Sequence, residues 1–178
     1  MNNDTKIDII LTVYQGEEYI LETIDSILNQ TFKNWFLTIV DNGSTDRTSQ
    51  LIKEKYNDND KINLIKLDKN IKPAGGWWYG ILHTKAELIA ITCYDDIWHE
   101  KKLEMQYKYL KNNKIDLVHT NIEIIDRNGK LLKNKANDEN KSRNAIAFNE
   151  LETKELSSNF FLKNYIRLSS VLLTRKSI

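Results

Sequence analysis

Four short β-rich apolar runs, IDIILTV at 7–13, WFLTIV at 35–40, INLIKL at 62–67 and LIAIT at 88–92, alternate with stretches whose apolar residues recur at the helical period. Near-continuous runs of this kind suit strands covered on both faces. From Glu17 onward Ile20, Leu21, Ile24, Ile27 and Leu28 form one stripe at the 3.6 period, which predicts a helix with acids in its first turn. A second helix, capped by Asp46, is expected through Leu51, Ile52 and Tyr56, a third from about Gly76 to Thr84, and a fourth from Lys101 to Leu110. Strand and helix alternating at this spacing imply right-handed crossovers and a mainly parallel sheet, with ligands expected beyond the carboxyl ends of the strands. The segments YQG, DNGSTD, KPAGG and CYDD each follow a predicted strand, so they are the loops to examine for chemistry.

After Leu110 the pattern changes. Residues 117–125, LVHTNIEII, read as a strand, and Asn128-Gly129 before Lys130-Leu131-Leu132 favours a type I′ hairpin, giving the sheet an antiparallel part. Residues 133–147 are polar, free of glycine and without period, which predicts a mobile loop near the site or a disordered connector. A helical stretch near 148–165 and a last strand at 168–173 follow. The 178 residues suit a single domain. Against 26 Lys+Arg stand 25 Asp+Glu, and a net charge of +1 supplies no basic field to hold nucleic acid. One cysteine, Cys93, excludes an internal disulfide, and the N-terminal segment MNNDTKIDII has no apolar leader, so the expected compartment is cytoplasmic. No apolar run approaches the ~20 residues of a membrane helix, so any membrane contact is expected to be peripheral.

Two clusters stand out chemically. Asp41 closes a predicted strand, where a carboxylate can accept a hydrogen bond from a ring N–H of a base while the amides and hydroxyls of DNGSTD face a polar ligand. The same residues also serve turn and N-cap chemistry. Asp95 and Asp96 follow the fourth strand directly; adjacent carboxylates repel, and a divalent cation between them and an anionic ligand relieves that repulsion, whereas a helix cap is the competing account. Gly75 and Gly76 open a helix where a ligand can approach the backbone, and Trp77 and Trp78 either stack on a ligand or pack the helix onto the sheet. His99 is a ligand or a capping residue, and Cys93 reads as a small buried hydrophobe. Neither a dinucleotide-binding G-x-G-x-x-G nor a G-x-x-x-x-G-K-[ST] phosphate loop is present.

In their order, the segments at 7–32, 35–48 (WFLTIVDNGSTDRT), 74–81 (AGGWWYGI), 88–98 (LIAITCYDDIW) and 169–177 (SSVLLTRKS) resemble the family 2 glycosyltransferases. That resemblance implies the GT-A fold, an α/β Rossmann-like three-layer sandwich with a mainly parallel central sheet and a small antiparallel part. It also implies a nucleotide-sugar site lined by Thr12, Tyr14, Asp41, Gly75, Gly76, Tyr94, Asp95 and Asp96, in which Asp41 binds the base. Cys93-Tyr94-Asp95 stands at the family's Asp-x-Asp motif, so Asp95 would ligate the metal, Mg2+ or Mn2+, that holds the diphosphate, and Cys93 replaces the first aspartate. Thr12 stands where proline is common, Asn42 where a second aspartate is common, and Trp77-Trp78 where many members carry Arg-Asn. The AGGWWYG loop is similar to members that handle rhamnose or galactofuranose donors.

The function so implied is transfer, with inversion, of a sugar from a UDP- or dTDP-linked donor to a cell-surface glycan or lipid-linked saccharide precursor, in the cytoplasm or at the inner face of the membrane. Family members continue into a segment carrying the general base and acceptor-binding helices, which this chain is expected to lack; Asp138, Glu139, Glu150, Glu152 and Glu155 match no base motif, and no catalytic base is assigned. Two other readings stay open: a donor-binding module without efficient transfer, and a two-metal nucleotidyltransferase. The oligomeric state is open too, a homo-oligomer included.

Overall fold

The computed structural model describes residues 5–132 and 168–178. Strand β1 (Ile7–Val13) is buried at every position because it lies inside the sheet with side chains entering a core on each face. Its odd-numbered residues Ile7, Ile9, Leu11 and Val13 join one core with Ile20, Ile24 and Ile27 of α1 (Ile20–Leu28), Ile52 and Tyr56 of α2 (Thr48–Tyr56), and Leu103 and Leu110 of α4 (Lys102–Asn113). Ile10 points the other way, into a smaller core with Ile81 of α3 (Lys72–Leu82), Ile89, Ile91 and Val171. This is the period-two alternation of a strand between two helical layers. Each fully buried isoleucine of the α1 stripe contributes roughly 1.5–3 kcal/mol relative to exposure.

The sheet order is β3-β2-β1-β4-β6-β5, with β2 at Trp35–Asp41, β3 at Ile62–Lys66, β4 at Leu88–Cys93, β5 at Leu117–His119 and β6 at Val171–Thr174. β1 pairs in parallel with β2 and β4, and β2 with β3, whereas β6 runs antiparallel between β4 and β5. The architecture is thus the expected three-layer α/β sandwich, mainly parallel with a small antiparallel part.

Several local expectations are corrected. Helix α3 starts at Lys72 rather than near Gly76, so KPAGG is its first turn and not a loop. Pro73 sits where a helix loses no hydrogen bond, and the Lys72 amide is capped by Asn70 Oδ1 at 2.7 Å. The low helix propensity of glycine is overridden by packing, since side chains at Gly76 and Gly80 would collide with Thr12 and Ile10 of β1. Of residues 117–125 only Leu117–His119 are strand; further on, Ile125 and Leu131 form one isolated antiparallel bridge. Its turn is not type I′, which needs positive φ at both central residues: Gly129 has φ +75° but Asn128 does not, and Asp126 Oδ1 takes the amides of Asn128 and Lys130, each at 2.9 Å. The last strand begins at Val171, after a short 3-10 turn at Leu168–Ser170. The expected loop at 133–147 and helix at 148–165 lie outside the described residues.

Candidate active site

The ends of β1, β2 and β4 fall on one edge of the sheet, with Val13 opposite Asp41 and Thr12 opposite Cys93. β2 and β4 flank β1, so the turns that leave them start about 10 Å apart, two strand spacings, with the YQG loop between. Asp41 and Asp95 therefore belong to the same face of the molecule.

The β1 and β2 loops are stitched together by side chains. Gln15, held at φ +55°, offers Oε1 to the amides of Thr45 (2.9 Å) and Asp46 (3.2 Å), and its own amide donates to Ser44 Oγ at 3.0 Å. Gly16 N–H donates to Thr48 Oγ1 at 2.9 Å, and Glu17 N–H to Asp46 Oδ2 at 3.2 Å. Asp46 Oδ1 also takes the Thr48 amide and hydroxyl at the start of α2, from one residue before the Arg47 cap position rather than from the cap itself. Asn42 ties in the third loop: its Oδ1 accepts from the Ile71 amide at 2.9 Å and its Nδ2 donates to the Lys72 carbonyl at 3.0 Å. Between them Gly43 takes φ +82°, and a Cβ there would meet the Lys69 backbone at 2.7 Å.

Asp41 is wholly buried, its Oδ1 accepting the Ser44 amide at 2.8 Å and its Oδ2 the Ser49 hydroxyl. No part of it is exposed to a ligand in this geometry; what it does is fix the turn, whose Ser44, Thr45 and Asp46 amides are taken up by Asp41 and Gln15 and of which Thr45 stands exposed. Tyr14 is 42% exposed at the same edge. Gly76 is buried against Thr12 rather than open to a ligand, and Gly75 is half-buried against Ile71 of the preceding turn. Trp77 packs on the sheet and donates Nε1–H to the Thr92 carbonyl at 3.2 Å, whereas Trp78 is exposed.

The acidic loop is built differently. Tyr94 is fixed by packing, since a Cβ on Gly16 would touch its ring at 2.8 Å, and its carbonyl takes the Thr23 hydroxyl at 2.6 Å. Asp95 is exposed; Asp96 is partly buried, accepting the Cys93 amide at 3.3 Å and a hydrogen bond from the Ser169 side chain. Burial pushes the Asp96 carboxyl above its usual range, opposed by the Ser169 hydrogen bond and reinforced by Asp95. Burial, then the charges of Asp96 and Asp95, push the Cys93 thiol up to about 12. One ligand atom from each of Cys93, Asp95 and Asp96 lies within 4.8 Å of the others, close enough to surround one ion. Behind them Lys102 is buried, its amine donating to Gln106 Oε1 at 2.9 Å and lying 3.9 Å from the Trp98 ring centroid. Gln106 in turn donates to the Ser170 carbonyl at 2.8 Å, tying the acidic loop to the segment before β6. His99 is exposed and takes the Lys101 amide on Nδ1 at 3.2 Å, two residues ahead of the Lys101 cap position of α4.

Sequence reasoning missed Ser169, Lys102 and Gln106, and, although it pointed to the YQG loop and the DNGSTD turn, it missed the bridging roles of Gln15 and Asn42 within them. Asn42, beside Gly43 in a turn segment, and Gln15, in the loop after the first strand, carried a local signal. The five acids from Asp138 to Glu155 lie outside the described residues.

A three-layer α/β sandwich with an acidic loop and a polar turn on one carboxyl edge is the GT-A class of nucleotide-sugar transferase scaffold. The chain belongs to glycosyl transferase family 2, whose profile matches residues 8–172. It is 34% identical over 130 residues to the uncharacterized glycosyltransferase MJ1057 of Methanocaldococcus jannaschii, covering 71% of this chain and 45% of that one. It is 33% identical over 126 residues to the Escherichia coli UDP-Glc:alpha-D-GlcNAc-diphosphoundecaprenol beta-1,3-glucosyltransferase WfgD, covering 71% and 49%. The chain spans about half or less of the length of several curated relatives, from 18% of one in Rickettsia bellii to 51% of one in Haemophilus influenzae. Among solved structures it is similar to S. aureus TarS in complex with UDP-GlcNAc (TM-score 0.59, 24% identity, 64% of this chain and 33% of that one). It is also similar to the mannosyltransferase PcManGT from Pyrobaculum calidifontis in complex with GDP-Man and Mn2+ (TM-score 0.61, 20% identity, 66% and 35%). Among the described residues no helix is long and apolar enough to cross a membrane.

Proposed function

We propose that this chain binds a nucleotide-diphospho-sugar, most simply a UDP- or dTDP-linked one, and takes part in transferring its sugar with inversion to a surface glycan or lipid-linked saccharide. The observation that carries this reading is the placement of the DNGSTD turn and the Cys93, Asp95 and Asp96 cluster on one carboxyl edge, about 10 Å apart on either side of β1. The names of two relatives support it, one a UDP-glucose enzyme acting on a diphosphoundecaprenol-linked sugar and one bound to UDP-GlcNAc. An acceptor carried on such a lipid would be met at the inner face of a membrane.

In this reading the turn braced by Asp41 and Gln15 shapes one wall of the nucleoside site and the exposed Tyr14 ring faces it, while Thr12 and Tyr94 close the floor beside it. The cluster fits a divalent cation, Mg2+ or Mn2+: two carboxylates, one of them exposed, converge with a third donor atom. Asp95, seconded by Asp96, would hold it. When bound, such an ion offsets the charge that develops on a leaving diphosphate. Asp96 is oriented for this by the Cys93 amide and the Ser169 side chain. A thermal-shift panel of nucleotide sugars with and without Mn2+ tests the binding, because a ligand taken only by the native form raises its melting point. Products then decide the reaction: nucleoside diphosphate supports glycosyl transfer, pyrophosphate indicates nucleotidyl transfer, and saturable binding without turnover indicates a donor-binding module.

A further inference from the structure

Cys93 is left without a task by the reading above, yet it belongs to the cation cluster and is partly buried within it. It is the single cysteine of the chain, and its Sγ lies within 4.8 Å of carboxylate oxygens of both Asp95 and Asp96. Its backbone is pinned from two sides, by the register with Thr12 and by the hydrogen bond from its amide to Asp96 Oδ2. A second, independent feature marks the same spot. Thr12, the register partner of Cys93 on β1, is only 6% exposed, and its Oγ1 has no hydrogen-bond partner among the described residues. Side chains of register partners stand next to one another on the same face of a sheet. A buried hydroxyl with nothing to bond is a rare event in a folded protein, and this one stands on the face of the sheet that Cys93 shares, next to the cluster's sulfur member in the register.

We infer that the divalent-cation site of this chain is a mixed sulfur and oxygen site, in which Cys93 Sγ coordinates the ion together with Asp95 and Asp96. This rests on the reading that a cation binds at this edge. Carboxylates alone suit hard ions such as Mg2+; a thiolate added to them shifts preference toward Co2+, Zn2+ or Cd2+. Coordination replaces the S–H bond by a metal–sulfur bond, the sulfur lone pair entering the metal shell and the proton leaving to solvent, with no change of oxidation state.

The test is a Co2+ titration of the full chain in the presence of UDP, followed by absorption and by calorimetry. The expected result is a sulfur-to-cobalt charge-transfer band that saturates with binding, since no other cysteine exists to produce it. Cys93→Ser should lose the band. Cys93→Asp should bind without it and move the Co2+ to Mg2+ preference toward Mg2+ on the order of tenfold. Calorimetric binding of Co2+ by the unaltered chain with no band overturns sulfur coordination and leaves cation-assisted nucleotide binding intact. No ion binding with UDP overturns both. The band of the unaltered chain decides the matter even where a substituted chain fails to fold.

Discussion

Thr12 and Gly76 meet across the β1 and α3 interface so closely that a Cβ on Gly76 would lie 2.5 Å from Thr12 Cγ2 and 3.0 Å from its Oγ1. The contact sets how near α3 comes to the carboxyl edge of the sheet. Gly76→Ala should therefore destabilise the chain by about 1–3 kcal/mol, the usual range for overpacking a rigid site. The β-branched Thr12 cannot easily swing away. Thr12→Ser removes the closer of the two atoms, so the double variant should recover most of the loss. Urea denaturation of both single variants and the pair gives the coupling directly; strictly additive losses would show that the clash is relieved elsewhere.

Asp41 supplies the acceptors for the Ser44 amide and the Ser49 hydroxyl, both buried. Asp41→Ala leaves those donors unsatisfied, at about 1–3 kcal/mol each. Because the carboxylate acts through the turn it fixes, affinity for UDP, dTDP and GDP should fall together. Calorimetry with the three nucleotides checks this, and a loss confined to one base would instead reveal a direct contact.

What could be read in the sequence followed from local pattern. The apolar run of β1 and the stripe of α1 define their elements without help from the rest of the chain, and the adjacent acids Asp95 and Asp96 after β4 announce a polar site. What could not be read was set by partners far along the chain. The start of α3 at Lys72 depends on Thr12 and Ile10 receiving Gly76 and Gly80; the inward turn of Asp41 depends on Ser49; and Gln15 matters only because the β2 turn folds over it. Local propensity at KPAGG favours a loop, and tertiary packing wins. For β5, lying at the edge of the sheet, the apolar run 117–125 overstates the pairing that β6 can offer.

Lys102 links stability to pH. Burial lowers its amine from 10.5 to about 7, with Asp96 acting in the opposite sense. A depressed amine means that the unfolded chain binds more protons than the folded one between those values, so stability rises with pH across that window. Between pH 7 and 9 the gain from this group is about 2 kcal/mol, taking 1.36 kcal/mol per pKa unit. Above pH 9 the Cys93 thiol, raised from 9.0 to about 12, acts with the opposite sign and flattens the curve. Chemical denaturation at a series of pH values should show the rise in the unaltered chain, and Lys102→Met, which keeps the volume and removes the amine, should abolish it. A Lys102→Met chain with the same pH slope would place the titrating group elsewhere.

Asp95 is the exposed member of the cation cluster, so its removal should spare the fold. Exposed substitutions of this kind usually change stability by less than about 0.5 kcal/mol. Asp95→Asn keeps the shape and removes the charge that an ion needs. The expected outcome is an unchanged melting temperature without ligand, together with loss of the Mn2+-dependent part of UDP binding, while any ion-independent binding to the turn persists. Paired calorimetric titrations of UDP with and without Mn2+ separate the two contributions. An Asp95→Asn chain that still gains affinity from Mn2+ as the unaltered one does would remove the ion from this loop, and with it the assignment of the diphosphate to the end of β4.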